Sequence, residues 1–246
     1  MWGIIPAAGM GSRIQPLAFS KELLPVGSYF TGPTERPRAV SEYLVERMVN
    51  AGVDKICFVI SPGKSDILDY FGSHALSAAI FYAVQPSPEG LCDAVFRALP
   101  LIPPGEDVCI GLPDTIWFPE NALRDLPSRE FSLLLFPVSH PERFDSVVTD
   151  ATGQVQQVRV KQQEVLTEWI WGAMKMSGSI LAELHAIWSH RKDEYLGTLI
   201  NEYLSRGGKA RGYPIGESYV DVGTLNGYRE ALRLLDANRA SAAISA

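Results

Sequence analysis

Short apolar runs alternate with helix-patterned stretches from the first residues to about residue 140. Trp2-Gly3-Ile4-Ile5-Pro6 reads as a buried strand, and residues 55–60, 79–84, 107–112 and 131–138 read as further β-rich runs. Between them, residues 39–51, 64–72 and 91–99 carry helical spacing. Apolar strands separated by helices predict an α/β fold, with a mostly parallel sheet covered by helices on both faces. In open sheets of this kind, ligands bind beyond the carboxyl ends of the strands.

The pattern changes near residue 140. Residues 146–155 predict a hairpin turning at Gly153, and 169–176 a strand. Ser177 or Ser179 would cap a helix running through Trp188. Residues 193–205 read as helical and end at Gly207-Gly208. Two short strands are expected over 211–222 and an amphipathic helix over 225–235. Residues 28–38, with two prolines and a glycine, read as an exposed loop. No clear break divides the chain, so one domain over 1–246 is expected. It has a nucleotide-binding part at about 1–140, an acceptor part at about 141–236 and a frayed tail at 237–246.

A net charge of −6 argues against a nucleic-acid-binding surface as the main function. Cys57, Cys92 and Cys109 are far apart, and two of them sit in apolar runs, which predicts buried free thiols. With no secretory leader in view, a reducing cytoplasm is the expected compartment. No apolar run reaches membrane-span length, so no membrane partner is expected. His74, His140, His185 and His190 show no metal-ligand spacing.

The first strand opens directly into Ala7-Ala8-Gly9-Met10-Gly11-Ser12-Arg13, and Ser20-Lys21-Glu22-Leu23-Leu24-Pro25 follows. Glycines let backbone N–H groups approach phosphate oxygens, and Arg13 and Lys21 supply positive charge. The loop matches neither G-x-G-x-x-G nor the Walker pattern. Gln85-Pro86-Ser87-Pro88-Glu89-Gly90-Leu91 follows another strand. A Gln amide there can make a paired donor–acceptor contact with a pyrimidine edge, and Gly90 lets a base lie against backbone. Asp114, in Leu112-Pro113-Asp114, and Asp221, in Asp221-Val222-Gly223-Thr224, each end a strand-like run and could share one Mg²⁺. Lys161 is a candidate for the phosphate of a second substrate. Each segment alone also reads as ordinary turn, cap or surface chemistry.

Taken together and in order, these segments resemble the sugar-1-phosphate nucleotidyltransferase family. The likeness is to glucose-1-phosphate thymidylyltransferases, with phrases closer to UTP–glucose-1-phosphate uridylyltransferases, and covers about residues 3–235. It implies a Rossmann-like, GT-A-like fold and Mg²⁺-dependent transfer from UTP or dTTP to a sugar 1-phosphate. By resemblance, Ala8, Gly9, Gly11, Ser12 and Arg13 hold the triphosphate, and Lys21 sits on the α-phosphate. Gln85 and Gly90 read the base, and Asp114 and Asp221 bind the metal. Lys161, Gly172 and Arg191 face the sugar phosphate. Relatives are often dimers or tetramers, which leaves a homo-oligomer open here.

The acceptor half departs from the family pattern. The family's E-K-P, whose glutamate binds sugar hydroxyls, is here Val160-Lys161-Gln162. A family glycine near the sugar has no counterpart around Phe144-Asp145-Ser146. Transfer to a non-sugar phosphate such as phosphocholine is therefore a second expectation. A non-catalytic nucleotide-binding regulator is a third.

Overall fold

A computed structural model describes residues 1–245, with side chains described through residue 238. The first half runs β1 (Trp2–Pro6), β2 (Pro25–Thr31), β3 (Thr34–Ala39), α1 (Val40–Asn50), β4 (Lys55–Ile60), α2 (Ser65–Phe71), β5 (His74–Ala75), β6 (Ala78–Val84) and α3 (Gly90–Arg97). There follow β7 (Asp107–Gly111), β8 (Thr115–Phe118), β9 (Ser132–Pro137), β10 (Asp145–Thr149), β11 (Val155–Val160) and β12 (Trp169–Ser177). The chain finishes with α4 (Gly178–Arg191), α5 (Leu196–Ser205), β13 (Arg211–Tyr213), β14 (Ser218–Asp221) and α6 (Leu225–Ser245).

The central sheet has the order β11-β10-β12-β7-β1-β4-β6-β5, with β9 on β12 and β13 on β9. β7, β1, β4 and β6 are parallel, as their unbroken apolar sequences require. β12 enters antiparallel beside β7 and joins β10 and β11 to the parallel strands. The sheet is therefore mixed but mostly parallel in its first half, as expected. α3, α4 and α5 cover one face through Val95, Phe96, Leu184 and Leu199. α1 and α2 cover the other through Leu44, Met48, Ile67 and Phe71. A third cluster, with Val26, Tyr43, Ile116, Val220 and Ala231, fastens α6 and the β8–β14 pair to the body.

Three expectations are corrected. Residues 28–38 form most of the β2–β3 hairpin rather than a loop. Gly32, at φ +60°, takes the first central position of a two-residue turn, which favours glycine there. Tyr29, Phe30 and Thr31 are good strand formers, while Pro37 is tolerated because β3 is an outer strand. Helix α5 starts at Leu196 rather than residue 193, because the Glu194 carbonyl instead receives the N–H groups of Leu91 and Cys92 at 3.1 and 3.3 Å. Helix α6 runs to Ser245, beyond the expected end at 235, while Ala246 of the expected tail lies outside the described residues.

Candidate active site

The ends of β1, β4, β6 and β7 come level in register, so the loops after Pro6, Ile60, Val84 and Gly111 share one edge of the sheet. Ala7 and Ala8 stay buried, and the chain then rises into solvent from Gly9 to Arg13, where Met10 is 71% exposed. At Gly11, φ is +67° and a Cβ would fall 2.8 Å from Lys21 Cδ. Only glycine lets the loop lie this close on Lys21. Around Gly9 nothing lies within 4 Å of a Cβ position, which leaves room for a ligand oxygen to approach its backbone.

Lys21 is held from beneath by residues that sequence reading missed. Ser20 donates to Asp66 from its backbone N–H and its hydroxyl, both at 2.6 Å. Glu22, only 1% exposed, receives Lys64 Nζ at 2.8 Å on both carboxylate oxygens. The same ammonium donates to Ala7 O at 2.6 Å, so one lysine fixes both the root of the glycine loop and the Lys21 turn. Ser41 Oγ also donates to Glu22 O at 2.7 Å. The available signal was position: Ser61-Pro62-Gly63-Lys64 follows β4 at the same sheet edge.

The β8–β14 pair brings the two aspartates together. Asp221 pairs with Thr115, and Val222 N–H donates to Asp114 O at 2.8 Å. A Cβ on Gly223 would lie 2.8 Å from Asp221 Oδ1, 3.3 Å from Asp114 Oδ2 and 3.1 Å from Arg13 Nη2. Both carboxylates and one guanidinium therefore converge on one point. Lys21 Nζ bonds Asp114 Oδ2, and Arg13 Nη2 reaches Asp221 Oδ2 at 3.3 Å. Burial pushes the Asp114 pKa up, but the Lys21 ammonium overcomes it and holds the carboxyl below its ordinary range. Burial and repulsion from Asp114 push Asp221 up, against the Gly223 N–H and Arg13. Burial likewise opposes the charge on Lys21, but Asp114 outweighs it and raises the ammonium's pKa. Thr224, rather than Asp221, caps α6, by accepting from Gly227 N–H at 3.0 Å.

Among the described residues no three His, Cys, Asp or Glu side chains cluster as a metal cage. Two converging carboxylates nevertheless suit Mg²⁺, which takes one or two carboxylates and completes its shell with phosphate oxygens and water.

Gln85 lies at the expected loop but is 3% exposed. Its Nε2 donates to Gly90 O at 3.0 Å and to Asp93 Oδ2 at 2.8 Å. Both amide protons are spent inside the protein, so the expected paired donor–acceptor contact is corrected to an acceptor, Oε1, alone. Gly90 has φ +90° and packs on Glu194, where a Cβ would come within 2.6 Å of Cγ.

Lys161 follows β11 with φ +46°, and its Nζ stands 4.7 Å from the Tyr195 ring centroid. Gly172 has a packing reason of its own: a Cβ would meet Phe136 at 2.5 Å and Tyr219 at 2.8 Å. Arg191 is not brought to these groups by any of its contacts. It pairs with Asp193 at 2.7 Å and Glu202 at 3.3 Å, at the end of α4.

Residues 2–238 match the family model described as nucleotidyl transferase. The chain belongs to the nucleotidyl transferase family. A glucose-1-phosphate thymidylyltransferase of Xanthomonas campestris is 27% identical over 246 residues, covering 95% of this chain and 80% of that protein. A UTP–glucose-1-phosphate uridylyltransferase of Mycoplasma genitalium is 30% identical over 139 residues, covering 47% of this chain and 44% of that one. UTP-bound UGPase from Acinetobacter baumannii superimposes with a TM-score of 0.76 at 19% identity, covering 95% and 92% of the two chains. At that identity the superposition shows the α/β fold of this nucleotidyl transferase, and the expected fold class is borne out. Among its described residues no helix is long and apolar enough to cross a membrane.

Proposed function

We propose that this enzyme transfers a nucleotidyl group from UTP or dTTP to a sugar 1-phosphate. The observation that carries the reading is the meeting of Arg13, Lys21, Asp114 and Asp221 around Gly223, beneath a glycine loop. The names of the relatives support the nucleotide and acceptor classes.

In the reaction, an oxygen of the acceptor phosphate attacks the α-phosphorus in line. The bond from that phosphorus to the oxygen bridging to the β-phosphate breaks, and pyrophosphate leaves. The attacking group is already an anion, so no protein nucleophile or base is needed. The protein contributes position and charge. Gly9, Gly11 and Ser12 would cradle the triphosphate, with Ala8 at the root of the loop. Lys21 would move from Asp114 to the α-phosphate, and Arg13 from Asp221 to the departing pyrophosphate. Mg²⁺ held by Asp114 and Asp221 would neutralise phosphate charge. Gln85 Oε1 would accept from the N3–H of uracil or thymine, and Gly90 would flank the base. Lys161 would hold the acceptor phosphate. Cys57, Cys92 and Cys109 are free and buried, with thiols pushed up to about 12, which supports a reducing cytoplasm.

The test is pyrophosphate release with Mg²⁺, crossing UTP, dTTP, CTP, ATP and GTP with sugar 1-phosphates and phosphocholine. Release with UTP or dTTP and a sugar 1-phosphate is expected. Release only with phosphocholine, or none with any acceptor, overturns the reading.

A further inference from the structure

Asp145 opens β10 and stands directly opposite Val160 in the β10–β11 ladder. On its other side Ser146 pairs with Ile170 of β12, so the antiparallel register makes Trp171 the neighbour of Asp145. Lys161 N–H donates to Phe144 O at 3.1 Å, which joins the lysine's backbone to the same corner. Phe144 lines a cavity of about 530 Å³ shared with Arg13, Tyr219 and Asp221. The Asp145 carboxylate turns toward the first turn of α5, where its Oδ2 would lie 3.2 Å from a Cβ on Gly197, and it feels the Lys161 charge, so it neighbours the lysine proposed for the acceptor phosphate.

A half-buried carboxyl and a buried indole face each other at this corner. Burial pushes the Asp145 carboxyl above its ordinary range, and the Lys161 charge and the Trp171 indole offset this only in part. Trp171 is 6% exposed, and its Nε1–H has no hydrogen-bond partner of normal geometry. Native proteins rarely leave such groups unsatisfied, and those that persist call for an explanation. A hydroxyl answers both, because it donates to the carboxylate while accepting from the indole. An ammonium cannot accept from Trp171, and a quaternary ammonium cannot donate to Asp145 either.

We propose that Asp145 and Trp171 together read a hydroxyl of the acceptor, so that the enzyme selects a hydroxyl-bearing phosphate. This rests on the nucleotidyl-transfer reading above. Val160 leaves its own position without a polar group, and Asp145 supplies a carboxylate from across the ladder.

The experiment is steady-state kinetics of Asp145→Asn and Asp145→Gly, using the sugar 1-phosphate that the parent enzyme turns over best among the glucose, galactose, mannose and N-acetylglucosamine compounds. The acceptor KM should rise roughly 10- to 100-fold, the size expected on losing a charged hydrogen-bond acceptor. The nucleotide KM and kcat should stay nearly unchanged. Melting temperature at neutral pH should rise in Asp145→Asn, because a carboxylate whose charge burial disfavours is replaced by a neutral amide. Adding Val160→Glu to Asp145→Gly should recover part of the acceptor KM by returning a carboxylate to the same row. An unchanged acceptor KM in both single variants, with the parent active, overturns this inference alone. A parent enzyme silent with every sugar 1-phosphate, or active only with phosphocholine, overturns the functional reading as well.

Discussion

The ammonium of Lys21 rests on the carboxylate of Asp114, 93 residues further along the chain. The contact joins the turn after the glycine loop to the aspartate that follows β7. It also accounts for the opposed pKa displacements of Asp114 and Asp221, since only the first has a lysine against it.

Lys21→Ala should lower kcat by roughly 100- to 1000-fold, corresponding to about 3–4 kcal/mol of lost transition-state stabilisation. Nucleotide affinity, measured by calorimetry, should fall much less. Turnover close to the parent value would remove Lys21 from the chemistry.

Asp114→Asn should shift the Mg²⁺ concentration required for activity upward and depress the plateau. The check is a Mg²⁺ titration at fixed nucleotide and acceptor. An unaltered titration curve would show that the ion sits elsewhere.

Gly223→Ala tests the convergence itself. The new methyl would lie 2.8 Å from Asp221 Oδ1 and 3.3 Å from Asp114 Oδ2, forcing the carboxylates apart. Its backbone φ is not in the left-handed region, so folding should survive. We expect an intact melting transition with activity reduced by roughly 100-fold or more, the loss seen when positioned charges are displaced. Parent-level activity would mean that the two aspartates do not act together.

Asp66 gives a pH signature. Burial favours its neutral form, but two hydrogen bonds from Ser20 prevail, and its pKa in the folded chain lies below the ordinary aspartate value. Its contribution to stability is therefore fully present above that ordinary value and is lost as pH falls through the folded-state pKa. Asp66→Ala should cost about 1 kcal/mol at neutral pH, and the difference from the parent should shrink below about pH 4. Denaturant melts at several pH values will show this. A difference that stays constant into acid would refute the clamp. The variant should also lower kcat, because Lys21 loses its footing.

The parallel half of the fold was readable because its strands are short and wholly apolar. The glycine loop's place at the sheet edge was readable because it follows the first strand directly. The β2–β3 hairpin was not, since an exposed ribbon buries too little to alternate and its proline argued against a strand. β8 has only four residues, and its pairing with β14 connects positions about a hundred residues apart. Lys64 and Asp66 escaped notice because their partners, Glu22 and Ser20, lie 42 and 46 residues away. No local pattern records such a pairing. Gln85 was placed correctly just after β6, but the fate of its amide protons depended on Asp93, one turn into the next helix.

Lys21 on Asp114 and Arg13 on Asp221 leave the resting cleft with its opposite charges already matched. A bare phosphate would have to strand a carboxylate, and a bare metal ion would have to strand a cation. A ligand carrying both signs exchanges partners with the two pairs at once. On the proposed reading, these two pairs would turn away simple ions and favour a metal–nucleotide complex.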